Sequence, residues 1–275
     1  MKNHSLFKQQ GLSLVELMIS ITLGMVLMGA ALQVMVSNNK TYKITDDVSR
    51  IQENGRIALD ILVKDLRLAG YRQPLNGDGK PPNYVLKECA PTPPADPFDD
   101  PCAQDGINLL SDQLSVQFDP PPDDGTETTC LGEVIPATDI IVNVYTVEDA
   151  DNDGINSLYC RAFNASTGVW TAAAKQPIID GIDHMQLLYG IAGDATNPDS
   201  TTKYAPLSTV QADDSWENIR SIRVALLVSN GLAEGSSDQK ERRYRVLDNL
   251  QPLSFTDRHS RRIYSTTVHF NNKLR

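Results

Sequence analysis

The chain has 275 residues, 40% hydrophobic and 22% charged, with a net charge of −10. That length suffices for a substantial core, as one large domain or two small ones. The acidic balance argues against a general nucleic-acid binder, which needs a basic footprint.

A short leader carrying Lys2 and Lys8 ends at Gly11. Behind it, from Leu12 to Val36, the only polar side chains are Ser13, Glu16, Ser20, Thr22 and Gln33. A helix of that length reaches roughly 37 Å at about 1.5 Å per residue. A bilayer core is about 30 Å thick, so residues 12–36 are expected to span a membrane. A secretory signal peptide places its small cleavage residue after the apolar run. Here Gly11 precedes the run, so a cut at that point leaves the helix on the product. Glu16 lies five residues in, where an ionisable group is costly and marks a function. The plainer alternative is a single-span anchor whose glutamate snorkels to the interface.

Gly11, apolar Leu12, Glu16 and the long apolar helix together resemble the class III leader of type IV pilins and pseudopilins. The resemblance implies cleavage between Gly11 and Leu12 by a prepilin peptidase and N-methylation of Leu12, where the family more often has Phe or Met. It also implies that Glu16 pairs with the freed N-terminal amine of a neighbouring subunit and sets the stagger of assembly. A carboxylate in hydrocarbon requires such a cation.

The helix is expected to continue past the membrane. Between Ser37 and Ala69 there is no proline and one glycine. Val48, Ile51, Ala58, Leu62, Leu66 and Ala69, with Gly55 among them, recur at steps that mark one helical face. Asp60, Lys64 and Arg67 fall between them as solvated positions. Gly70 stands where a C-terminal cap is wanted, and Pro74 blocks continuation. The expected division is a leader at 1–11, a membrane and assembly half at 12–36, an amphipathic half at 37–70 and a β-rich head at 71–275. The run from Leu66 to Arg72 resembles the end of this helix in PilW-type minor pilins.

Most of the prolines fall between Pro74 and Pro136, among many aspartates. Pro-Pro steps forbid helix and favour extended or looped backbone. Asp96, Asp99, Asp100 and Asp105 crowd there, as a solvated loop or as a cation or partner surface. Cys89, Cys102, Cys130 and Cys160 all lie beyond the membrane helix. An even number in an exported domain suggests two disulfides. Three pairings are possible; Cys89–Cys102 with Cys130–Cys160 is favoured because each closes a local loop. The chain has no CxxC and no close Cys/His pair, which argues against redox and zinc chemistry.

Strands are predicted at Leu114–Phe118, Ile140–Val147, Ser157–Asn164, Met185–Ile191, Ile222–Val228 and Ile263–Phe270, where apolar and polar residues alternate or β-branched residues cluster. Asp194–Asp214 and Gly231–Asp238 read as loops. The expected fold is α+β: an antiparallel sheet packed by one face on the amphipathic half of a long helix, with the other face in water. This is also the pilin arrangement. Asp149, Asp151 and Asp153 with Gly154 match the first half of a calcium loop. No bidentate acid follows, since residue 160 is Cys160, so the segment is either an acidic hairpin turn or a calcium site of another kind. Apart from that possible calcium, no cofactor is expected.

There is no GxSxG and no Walker loop, and His184, His259 and His269 lack a recognisable nucleophile context. The segment from Lys240 onward is basic, but salt bridges to the acidic loops explain it more simply than DNA. The stretch Arg261 to Asn272 resembles the last strand of PilW-family proteins, and Ser157 to Arg161 resembles the family too. This resemblance implies a non-catalytic minor pilin that primes type IV pilus assembly and lies near the tip of the fimbrium used for twitching. Implied partners are the major pilin, other minor pilins, the prepilin peptidase, the inner-membrane assembly platform and a tip adhesin. The implied place is a single pass of the inner membrane with a periplasmic head, and then the pilus surface. The alternatives are a J-type pseudopilin of type II secretion and a calcium- or surface-binding adhesin on a pilin stem.

Overall fold

The computed structural model describes residues 11, 13–71, 101–106, 110–119, 128–136, 139–150, 152–193, 200–231, 238–249, 251–270 and 272. The chain divides into two units, Met1–Asp46 and Asp47–Arg275.

In the first unit a helix, α1 (Leu14–Leu68), begins at Ser13, whose hydroxyl accepts the Glu16 N–H at 3.2 Å. This is the N-cap geometry expected of serine. From Leu14 to Val36 the helix is exposed on every side and long and apolar enough to cross a membrane. Its few hydroxyls turn inward: Ser20 donates to the Glu16 carbonyl at 2.7 Å and Thr22 to the Ile19 carbonyl at 2.9 Å. Polar groups satisfied within the helix are what an apolar surrounding demands.

In the second unit the rest of α1 turns one face inward, burying Asp47, Ile51, Gly55, Ala58, Leu62, Asp65 and Leu66. Two aspartates therefore stand on the face expected to be apolar, and Val48, expected there, is 40% exposed. The helix stops at Gly70, whose φ of 72° is open to glycine at little cost. The Gly70 N–H donates to the Gln117 carbonyl, and the Asn272 side-chain amide donates to the carbonyls of Arg67 and Ala69 at 2.9 and 3.2 Å.

One sheet has the order β1 (Leu114–Phe118), β2 (Ile141–Glu148), β3 (Ser157–Asn164), β4 (Val169–Trp170), with β5 (Gln176–Asp180) also paired to β3. The second, counted from β6 (Ile182–Ala192), β7 (Thr201–Ala205) and β8 (Ile219–Val228), has the order β11-β8-β6-β7, where β11 is Arg262–His269. A separate hairpin joins β9 (Lys240–Tyr244) to β10 (Leu253–Asp257). Every strand pairing among the described residues is antiparallel. A single apolar cluster joins Ile51, Ala58, Leu62 and Leu66 of α1 to Val116, Tyr145 and Leu158 of the first sheet and to Met185, Val224 and Val268 of the second.

Two expectations need correction. The stretch Asp194–Asp214, read as loop, contains β7 and a short helix, α2 (Leu207–Ala212). Strand β8, expected to show one face to water, buries both: Ala225 and Leu227 lie under Val246, Leu253 and Phe255 of the hairpin region. Of Gly231–Asp238, also read as loop, residues 232–237 lie outside the described residues.

Candidate assembly segment and buried polar sites

Gly11 is exposed and lies ahead of the helix; Leu12 lies outside the described residues. Glu16 stands in the first turn of α1, exposed, one turn below Ser20. In capping terms Ser13 and Glu16 occupy the Ser-x-x-Glu positions that satisfy a helix start. The first turn thus offers one carboxylate on a helix otherwise bare of charge until Lys40.

Cys130 and Cys160 are joined, with Cα atoms 6.4 Å apart, and fasten the turn around Gly132 to β3. Cys102 is buried and disulfide-bonded as well; Cys89 lies outside the described residues. Asp149 accepts the N–H groups of Asp153 and Gly154, both at 3.1 Å, one on each carboxylate oxygen. Asp153 in turn accepts the Ile155 N–H at 2.8 Å. These bonds make the hairpin turn with the carboxylates themselves. Asp151 lies outside the described residues, and among the described residues no group of three or more His, Cys, Asp or Glu is placed to hold a metal.

Four buried polar sites escaped the sequence reading. At the first, Asp65 Oδ2 accepts from the Asn143 amide at 2.6 Å and from the Tyr145 hydroxyl at 2.5 Å. Asn143 Oδ1 also accepts the Cys130 N–H at 3.2 Å, so the disulfide turn, β2 and α1 are tied through one side chain. Burial, and then the Asp65 charge, push the Tyr145 phenol well above its usual range, so it stays a donor. At the second, Asn230 donates to Asp47 at 2.9 Å. Both aspartates follow the phase of the apolar stripe, Asp47 four residues before Ile51 and Asp65 three after Leu62; that phase was the available signal.

At the third, Asp112 accepts the N–H groups of Gly106 at 2.8 Å and Leu187 at 2.7 Å. Burial pushes its carboxyl up to about 8 against the pull of those two bonds. Beside it, Asp105 accepts the N–H groups of Leu207 and Ser208 and so opens α2. At the fourth, Arg261 bonds Asp183 and makes paired bonds to Asp257 at 2.8 and 2.7 Å, with its guanidinium 3.8 Å over the Phe255 ring.

His184 is buried, with Ser111 Oγ 3.3 Å from Nδ1 and both Gln186 and Asn249 at 3.2 Å from Nε2. Burial lowers its pKa, and the Ser111 oxygen already receives the Met185 N–H at 3.1 Å. Ser111 Oγ is thus engaged by both the His184 ring and the Met185 N–H. In the first sheet Trp170 meets Phe163 edge-on at 5.2 Å and lies under Arg161. These sites fix loops, strands and the helix to one another.

Comparison with known proteins gives two family matches. Residues 144–272 match PilW, described as type IV pilus-assembly protein W, and residues 6–32 match the prokaryotic N-terminal methylation motif. A type IV-like pilin from Thermus thermophilus is similar in structure, with a TM-score of 0.42 and 13% identity over 82% of this chain and 100% of that one. No curated protein matches in sequence.

Proposed function

From the PilW match over residues 144–272 and the methylation motif over residues 6–32, we propose that the chain is a minor pilin of the PilW family that helps prime pilus assembly and takes a place at or near the tip, without catalysing a reaction. The observation that carries this reading is a methylation motif leading into a helix that is bare and apolar as far as Val36, with a large β-rich head folded on the helix beyond Asp47. A head of this size is accommodated at a filament end more easily than in a repeating shaft. In this reading the prepilin peptidase cuts after Gly11 and Leu12 is methylated. The helix waits in the inner membrane with the head in the periplasm until the assembly platform draws it out among the major and other minor pilins.

Glu16 then supplies the carboxylate that meets the N-terminal amine of a neighbouring subunit. A charge left unpaired in hydrocarbon is strongly unfavourable, so the pairing selects the correct stagger. Glu16→Ala is expected to leave the protein level unchanged and to remove it from pili sheared off the cell surface, as read by immunoblot. Equal entry of variant and wild type into pili would exclude this role.

The priming role is tested by the pilin recovered by shearing from cells lacking this chain, with the retraction motor intact. Surface pili are expected to be lost. Unchanged pili with exoproteins missing from the supernatant would assign the chain to type II secretion as a J-type pseudopilin.

A further inference from the structure

The buried face of α1 nearly repeats itself. Ile51, Gly55, Ala58, Leu62, Leu66 and Ala69 follow at steps of three or four residues. After a slip of one helical turn such a seam presents almost the same profile to the sheets. Apolar contact is non-directional, so it discriminates poorly between those positions. Directional contacts break the repeat. Asp47 meets Asn230, the Asn54 amide donates to the Asp180 carbonyl at 2.9 Å, and Asp65 meets Asn143 and Tyr145. They are spread over about 27 Å of helix at about 1.5 Å per residue. A steric notch lies between them: a Cβ on Gly55 would sit 2.6 Å from the Tyr264 ring, so only glycine admits that ring here. A one-turn slip would part Asp47 and Asp65 from these partners and bring a larger residue against Tyr264. Buried groups left without partners are costly.

We propose that these contacts form a register lock that fixes the axial and rotational position of α1 within the head, selecting one arrangement rather than adding net stability. Buried polar groups elsewhere set register in this way at no gain in stability. The purpose of the lock rests on the assembly reading: a helix drawn lengthwise from a bilayer must carry its head without sliding through it.

The test uses the full chain in detergent with fluorotyrosine in place of tyrosine, the Tyr264 signal being assigned by Tyr264→Phe. The variant carries Asp47→Leu, Asn230→Leu, Asn54→Ala, Asp65→Leu, Asn143→Leu and Tyr145→Phe. It is expected to unfold cooperatively, to show two or more Tyr264 fluorine signals in place of one, and to exchange the amides of residues 47–69 about tenfold faster or more. A milder variant with only Asp47→Leu and Asn230→Leu is expected to show the same changes to a smaller extent. A single Tyr264 signal with native exchange in both variants overturns the lock. So does loss of cooperative unfolding in both, which would make the contacts a requirement for folding rather than a selector. The readout is on purified protein, so it is decided independently of whether cells lacking the chain lose their pili.

Discussion

Arg261→Ala is expected to lower the unfolding free energy of the head by about 3–5 kcal/mol, the cost of stranding a buried charge. The Arg261 and Asp183 side chains are only 5% and 7% exposed, so water cannot replace the lost partner. The substitution also removes the paired bonds to Asp257 and the stacking on Phe255. These contacts connect the start of β6, the end of β10 and the approach to β11. Arg261→Lys keeps the charge but loses the planar fork, and it should fall between the two. Burial already raises the Asp183 carboxyl above its ordinary range despite Arg261. Without the arginine that carboxyl protonates more readily, so the defect should shrink as the pH is lowered. Urea unfolding of the full chain in detergent at two pH values measures both effects. Equal midpoints for wild type and Arg261→Ala would show that the network is not what holds the hairpin.

The second large effect is a loss of stability toward alkaline pH through Asp112. Its folded pKa is about 8, against 3.8 in the ordinary state. As pH rises from about 4, the unfolded chain gives up this proton and the folded chain keeps it. The stabilisation present at acid pH is therefore lost progressively, at up to about 1.4 kcal/mol per pH unit, until the folded carboxyl ionises near pH 8. His184 acts in the opposite sense below its ordinary value of 6.5, because burial lowers its pKa and the folded state resists its protonation. Above pH 6.5 this opposing effect is gone, so the Asp112 slope is read between pH 6.5 and 8, by difference from Asp112→Asn. Asp112→Asn should flatten the slope there while losing one of the two backbone bonds at every pH. A slope unchanged by Asp112→Asn would place the titration on another group.

What the sequence made legible follows from where the physics is local. Strands β1 and β3 fall at Leu114–Phe118 and Ser157–Asn164, as predicted, because alternation is written within the segment. The helix was expected over 12–69 and runs Leu14–Leu68, with Gly70 ending it. Strand β7 was missed because Thr201–Ala205 has no apolar alternation and pairs on one side only. Helix α2 was missed because the carboxylate at its start belongs to Asp105, far back in the chain. The hairpin β9–β10 was hidden by its charge: Lys-Glu-Arg-Arg reads as a solvated run, yet Tyr244 and Phe255 pack beneath it at 6.2 Å. Asp65 illustrates the opposite difficulty. Its phase on the stripe was readable, but its partners Asn143 and Tyr145 are set by tertiary packing.

The excursion that carries this hairpin departs and returns at facing positions, for Val228 and Arg262 are register partners in the β8–β11 ladder. The ladder would keep its pairing if the excursion were shortened to a tight turn or exchanged for another sequence. Ala225 and Leu227 would then need a new cover, and Asp47, His184 and Asp183 would have to keep or replace Asn230, Asn249 and Arg261 as partners. A sequence grafted here that keeps Asn230, Asn249 and Arg261 would be carried beside the ladder without a change in its register.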